Sequence, residues 1–242
     1  IGIHAVWGGV GIVTERRDVR LSLEGVDAET EAQFDFQLSP EFPVGRWQPG
    51  EALRDQYVFR LPASIPGGAY SWRVNLRDPE GTTVGNFLSG ISLKVSDPVR
   101  SFSAPDGTVL LNVSLGDTAV LYGYLLNTRR VTVGDKLALT LVWKARTEIP
   151  ESYRVFIHLI DESGRLRAQS DGEPAGWSRP TSGWLPEEYV SDFHSLNIPD
   201  DIEKGSYSLR AGIYHPHTGE RMAAAVFPDG SVLITDITVI RD

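Results

Sequence analysis

Residues Tyr207 to Tyr214 alternate. Tyr207, Leu209, Ala211 and Ile213 fall on one side, and Ser208, Arg210, Gly212 and Tyr214 on the other. Tyr70, Trp72, Val74 and Leu76 do the same against Ser71, Arg73, Asn75 and Arg77. A period of two with one apolar face predicts a half-buried strand of an antiparallel sheet, and it predicts those eight apolar residues as core. Both stretches are preceded by Pro-x-x-Ile-x-x-Gly, starting at Pro62 and Pro199. They run into Asp78-Pro79-Glu80-Gly81 and His215-Pro216-His217-Thr218-Gly219, which read as tight turns closed by glycine.

The two patterns belong to a longer match. Trp47–Pro79 aligns without a gap on Trp184–Pro216 at an offset of 137 (184 − 47), and 11 of the 33 positions are identical. The pairs include Trp47 and Trp184, Pro62 and Pro199, Gly68 and Gly205, and Arg73 and Arg210. Upstream the offset is 136, placing Val6-Trp7 on Val142-Trp143, Val19 on Val155 and Leu23 on Leu159. A unit of this size met twice predicts two similar domains. The boundaries read as 1–97, a Pro-containing linker over 98–108, and 109–242. The first domain has no counterpart to residues 109–136, so it is expected to lack its N-terminal strands and to leave an open edge that something must cover.

Within the second domain the pattern predicts nine strands: Val109–Val113, Ala119–Leu125, Lys136–Trp143, Tyr153–Ile160, Leu166–Gln169, Tyr189–Leu196, Ser206–Tyr214, a short one near Met222–Val226, and Ser231–Ile240. No long window has a helical period. Short strands broken by Asp/Gly/Pro turns predict an antiparallel sandwich. A long loop, Ser170 to Glu188, interrupts them.

Composition narrows the class. The 242 residues are 41% hydrophobic, enough for two cores, and contain no cysteine, which excludes a disulfide framework and thiol chemistry. A net charge of −9 argues against a nucleic-acid or anionic-membrane surface. No apolar run approaches the roughly 20 residues of a membrane helix. A chain that begins at Ile1, already in strand-like sequence, is expected to be a fragment of something longer.

The runs V-G-D-K-L-A-L-T-L-V-W-K-A, Y-R-V-F-I-H-L-I-D-E-S-G-R-L-R-A-Q-S-D-G-E-P, R-P-T-S-G-W-L-P-E-E and G-S-Y-S-L-R-A-G-I-Y-H-P-H-T-G-E-R-M resemble an immunoglobulin-like β-sandwich domain. They are similar to domains that follow the membrane-spanning part of large bacterial proteins related to family 39 glycosyltransferases. The resemblance covers nearly all of 109–242 and, more weakly, 1–97. It implies a domain outside the cytoplasm, periplasmic or on the cell surface, and it does not imply glycosyl transfer, because the catalytic part of such proteins lies in the membrane portion. More distantly, the layout looks like the polysaccharide-binding sandwich of O-antigen ABC transporters, a likeness of fold alone.

Candidate chemistry is sparse. Trp177 lies in the long loop with Arg179 and the Asp171 segment, where an exposed indole could stack a sugar ring; packing against its own domain is the plainer reading. Trp184 matches Trp47, which favours a structural role over ligand contact, and Tyr189 follows it on the next strand. Trp177, Arg179, Asp171, Trp184 and Tyr189 form the candidate ligand site. His215 and His217 straddle a turn with no evident third ligand, so no metal is expected. His158 and His194 read as ordinary strand residues. Glu187 and Glu188 read as a solvated loop edge, since neighbours on a strand point to opposite faces. No catalytic or cofactor motif is present.

The expectation is therefore a non-catalytic, extracytoplasmic pair of β-sandwich modules from a larger bacterial envelope protein, serving recognition or spacing, with polysaccharide or an envelope protein as partner and no cofactor. The alternatives are a purely structural or protein-interaction module and, more weakly, an enzyme with a site between the domains.

Overall fold

The alternating pattern folds into two separate units, Ile1–Asp97 and Pro98–Asp242, in a computed structural model that describes residues 1–8, 15–26, 29–225 and 227–241. Both are all-β, with a few 3-10 turns and no α-helix among the described residues.

The second unit contains β7 (Val109–Leu115), β8 (Ala119–Leu126), β9 (Arg130–Thr132), β10 (Lys136–Ala145), β11 (Arg154–Ile160), β12 (Leu166–Gly172), β13 (Tyr189–Asn197), β14 (Gly205–Tyr214) and β15 (Val232–Ile240). They make two sheets, in the orders β13-β10-β8-β7 and β12-β11-β14-β15-β9. Every pairing is antiparallel except β15 with β9. The inner faces enclose one core, with Trp143, Leu141, Leu121, Ile157, Leu159, Leu209, Ala211 and Ile213 among its fully buried members. Alternation along β10, β11 and β14 puts them there.

The first unit contains β1 (Gly2–Gly8), β2 (Asp18–Glu24), β3 (Thr30–Gln37), β4 (Ala52–Val58), β5 (Gly68–Arg77) and β6 (Thr83–Val95). The sheet β3-β2-β5-β6 has the order of β12-β11-β14-β15, and the pair β1-β4 has that of β10-β13. The registers agree: Trp7 lies opposite Leu53 as Trp143 lies opposite Val190, and Val19 opposite Leu76 as Val155 opposite Ile213. Counterparts of β7, β8 and β9 are lacking among the described residues, as the sequence leads one to expect. Val19, Leu21, Leu23, Trp47, Tyr57, Tyr70 and Trp72 form the core, extended by a stack of Phe34 on Phe59 at 4.3 Å.

Three expectations need correction. Val74 and Leu76 are only partly buried, whereas their counterparts Ala211 and Ile213 are fully buried; among the described residues of the first unit no strand takes the place of β8. The short strand near Met222–Val226 is instead a set of isolated bridges, Tyr214 with Arg221, Leu115 with Ala224 and Ala224 with Phe227; Val226 itself lies outside the described residues. The parallel strand β9 was not foreseen, since three residues are too few to show a period.

Residues 98–108, read as a linker, are tied into the second unit. Arg100 donates to the Gly183 carbonyl and to Glu188 Oε2, and the Tyr189 amide donates to the Ser101 carbonyl at 2.8 Å.

Candidate functional site

The long loop is built around a buried carboxylate. Asp192 on β13 accepts from Trp143 Nε1 at 3.1 Å and from the Ala175 amide at 2.7 Å, and it meets His194 Nε2 at 2.9 Å. His194 Nδ1 lies 3.2 Å from Ser170 Oγ. Serine, histidine and aspartate in a row are the residue types of a nucleophilic triad. Here the aspartate is fully buried and His194 nearly so, and all three residues lie in the wall that holds the loop. The first unit has a related arrangement. Asp55, opposite the same strand position, accepts from the Ser39 amide at 2.9 Å and from Tyr57 Oη, which in turn accepts from Trp7 Nε1. Tyrosine replaces histidine, and the tryptophan donates to that tyrosine instead of to the aspartate. Both nodes hold a loop amide.

Tied at Ala175, the loop turns through three consecutive left-handed residues: Ala175, Gly176 and Trp177, with φ of 52°, 60° and 71°. Such angles strain a residue with a side chain, most of all a bulky one. The Trp177 amide donates to Glu173 O, Arg179 N to Pro174 O, and Ser178 N to Ala175 O, which keeps the turn closed. The strained backbone lifts the Trp177 indole over Gly172, where a Cβ would stand 3.4 Å from the indole nitrogen, and leaves the residue 57% exposed.

At this end of the sheet the Trp177 ring meets Arg154 of β11, whose guanidinium lies 5.1 Å from the ring centre. Arg154 is opposite Tyr214 in the ladder, and Tyr214 Oη donates to Asp171 Oδ2 at 3.4 Å. Arg154 Nε has no hydrogen-bond partner, although it is buried. Next on the outer side of β11, Phe156 is covered by the rings of His158 and Tyr214 and by the Arg221 guanidinium, 4.4 Å from its centre. Gly212 is required beside it: a Cβ there would meet Gly230 O at 2.3 Å and the Phe156 ring at 2.6 Å. Burial pushes the His158 pKa below its ordinary value; Asp171 opposes the shift and Arg221 adds to it. Phe156 is thus buried, and Tyr214, Asp171 and Arg221 stand around it on the outer side of the sheet.

The five candidate residues thus separate. Trp177 contacts Arg154 and Asp171 contacts Tyr214, ladder partners across β11 and β14 that sequence reasoning missed. The strict alternation of β14 places Tyr214 outward, and this was a usable signal; Arg154 carried none. Trp184 is corrected to a core residue: it is fully buried and donates through Nε1 to Arg179 O at 3.0 Å, as Trp47 does to Phe42 O at 2.9 Å. Arg179 is engaged elsewhere, with Glu188 and with the Val99 carbonyl. Tyr189 packs edge-on against Tyr122 at 5.0 Å, and Lys144 lies above its ring.

Glu188 is not at a solvated edge. It is fully buried, paired with Arg100 at 2.7 Å and with Arg179, and accepts from the Leu185 amide. Glu187 is the exposed one, with φ of 67° and an ion pair to Lys144. The His215 and His217 rings lie 5.6 Å apart, but His215 Nε2 faces Glu151 at 2.9 Å. Among the described residues no group of three His, Cys, Asp or Glu side chains could hold a metal ion, and no helix is long and apolar enough to cross a membrane.

No family model and no curated protein matches the chain. Solved structures give partial likenesses. The CARDB domain of a Pyrococcus furiosus protein, solved with a pair of metal ions, is 14% identical, with a TM-score of 0.32 over 57% of this chain and 100% of that one. Red sea bream transglutaminase is 8% identical, with a TM-score of 0.30 over 100% of this chain and 29% of that one. A glycosyl hydrolase family 2 member from Bacteroides cellulosilyticus is 9% identical, with a TM-score of 0.31 over 98% and 27%. The chain spans less than a third of the last two, and at these scores none of the three carries a functional argument.

Proposed function

We propose that the second sandwich is a non-catalytic carbohydrate-recognition module, that Trp177 is its stacking platform, and that it serves a larger bacterial envelope protein outside the cytoplasm, with polysaccharide as its ligand. The observation that carries this reading is the exposed Trp177 indole on a left-handed backbone. A bulky side chain held at such angles costs of order 1–3 kcal/mol, and strain of that kind collects at functional sites. The surroundings suit a sugar. An indole offers an apolar plane for the C–H face of a pyranose, while Tyr214 Oη, the Asp171 carboxylate and the Arg154 guanidinium offer hydrogen bonds to hydroxyls. The envelope location rests on the resemblance to sandwich domains of family 39-related proteins.

The test is a glycan array followed by affinity electrophoresis with the best polysaccharide. The protein should be retarded, and Trp177→Ala should run as in a gel without ligand while unfolding at the same denaturant concentration. Retention that survives Trp177→Ala, or no retention by any glycan, ends this reading. A protein-interaction role is favoured by a different observation, the exposed Phe87 and Ile91 beside the apolar groove along β1.

A further inference from the structure

The two units carry different charges at matching places on the outer side of their sheets. In the first unit Arg20 stands opposite Asp35, and Asp18 opposite Arg77. In the second the same ladder positions hold Phe156 opposite Asp171, and Arg154 opposite Tyr214. The first set is closed on itself. Asp35 accepts both branches of the Arg20 fork at 2.7 Å, Arg77 comes within 3.9 Å of it, and Asp18 pairs with Arg16 at 2.9 Å. In the second set phenylalanine and tyrosine replace the two arginines that neutralise the aspartate. A guanidinium stands where the first unit has the carboxylate of Asp18.

This exchange leaves two unmet charges in the second unit. Asp171 keeps the Tyr214 hydroxyl, at 3.4 Å. Arg154 is half-buried, and among the described residues its guanidinium has the Trp177 ring for company but no ion pair and no hydrogen bond, with Nε closed off from solvent. Other arginines on this side of the sheet are engaged, Arg210 with Ser231 and Arg221 with the Asp229 carbonyl. A partly desolvated cation without a counter-charge is costly until a ligand supplies one. The guanidinium fork matches a carboxylate. Asp171 makes the opposite demand: an ionised carboxylate only accepts, so it takes hydroxyl donors and repels an anion.

On the carbohydrate reading of the Trp177 site, we propose that its polysaccharide is acidic, and that Arg154 binds the carboxylate of a hexuronate residue stacked on Trp177. A hexuronate meets all three demands. It carries a carboxylate for Arg154, hydroxyls for Asp171 and a C–H face for the indole. A neutral hexose leaves Arg154 uncompensated. Inorganic phosphate or sulfate brings nothing apolar to Trp177. The chain's net charge of −9 repels a polyanion at long range, but about 0.15 M salt screens that repulsion beyond about 8 Å and leaves a contact pair largely intact.

The test is affinity electrophoresis of the 242-residue protein at about 0.15 M salt. The gels hold polygalacturonate or polymannuronate, each compared with its carboxyl-reduced form, so that the backbone is matched and the charge differs. At least one acidic polymer should bind about tenfold more tightly than its reduced form, as a charge-assisted fork predicts. Arg154→Gln should erase that difference, and Trp177→Ala should abolish retardation by both forms. Should Arg154→Gln unfold at lower urea than the parent, Arg154→Lys carries the same comparison: it keeps the charge without the fork, and the preference should shrink. Equal or tighter binding of the reduced polymers overturns the uronate assignment and leaves the glycan reading standing. So does retardation by a neutral polysaccharide but by neither acidic one, or a preference for the acid that survives intact in both Arg154 variants. No retardation by any polysaccharide overturns both.

Discussion

Asp192 accepts a hydrogen bond from Trp143 at 3.1 Å, and the same carboxylate holds the amide of Ala175 at 2.7 Å. The core and the long loop thus share one buried anion. Asp192→Ala leaves an indole N–H, a loop amide and His194 without their acceptor, and should lower unfolding free energy by about 3 kcal/mol. Ser170→Ala, at the far end of the chain, should cost under about 1 kcal/mol. Urea unfolding of the two variants checks both. Comparable losses would mean that Ser170 bears more of the node than its single contact suggests.

The two loop tryptophans should part company in stability. Trp184→Ala opens a cavity in the core and should cost about 3–5 kcal/mol. Trp177→Ala also relieves a left-handed tryptophan, and should change stability by less than about 1 kcal/mol. Thermal and urea unfolding decide. A large loss at Trp177 would make it a packing residue.

Glu188 lies between two guanidinium groups with no exposure of its own. Glu188→Ala takes the carboxylate from both arginines, and breaking a buried pair in this way costs about 3–5 kcal/mol. Because Arg100 is one of the partners, trypsin should then cleave faster within residues 98–108, as mapped by mass spectrometry. An unchanged cleavage pattern would show that this segment is held by other contacts.

The open side of the first unit should be visible in cavity mutants. Leu209→Ala, at a fully buried site, should cost about 2–5 kcal/mol. Leu76→Ala, at a partly covered one, should cost about 1 kcal/mol. Equal losses in denaturant titrations would show that Leu76 is better covered than its surroundings indicate.

His158 sets an acid limit on the second unit. Its folded-state pKa lies below the ordinary 6.5, chiefly through burial. The unfolded chain therefore takes up the proton first as the pH falls, and stability is lost from about pH 6.5 downward until the folded pKa is passed. Replacing the ring by His158→Gln should flatten that part of the stability–pH curve. A slope that persists in the variant would move the effect to another group.

Much of the fold was legible because its signal is local. Alternation marked β5 and β14, and the offset of 136 that lays Val6-Trp7 on Val142-Trp143 left residues 109–136 without a counterpart in the first unit. Where the signal is not local, the reading failed. The three residues of β9 are a strand only because β15 runs beside them, and residues 221–224 reach only isolated bridges. The site divides in the same way. Trp177 and Asp171 could be singled out as a loop aromatic and its neighbouring acid, but Arg154 and Tyr214 join them only through the β11–β14 register. Glu187 and Glu188 look alike in the sequence. A left-handed backbone at Glu187 sends one to solvent, and the approach of Arg100, 88 residues away, buries the other.

By itself, then, the sequence determined the period of the strands, the faces they bury and the repeat that relates the two units, because these follow from residue type and spacing along the chain. The tertiary structure decided which tryptophan is core and which is exposed, which carboxylate is buried, and that an apolar groove runs along β1. Those outcomes depend on what residues distant in the chain bring against each position, and spacing along the chain does not encode it.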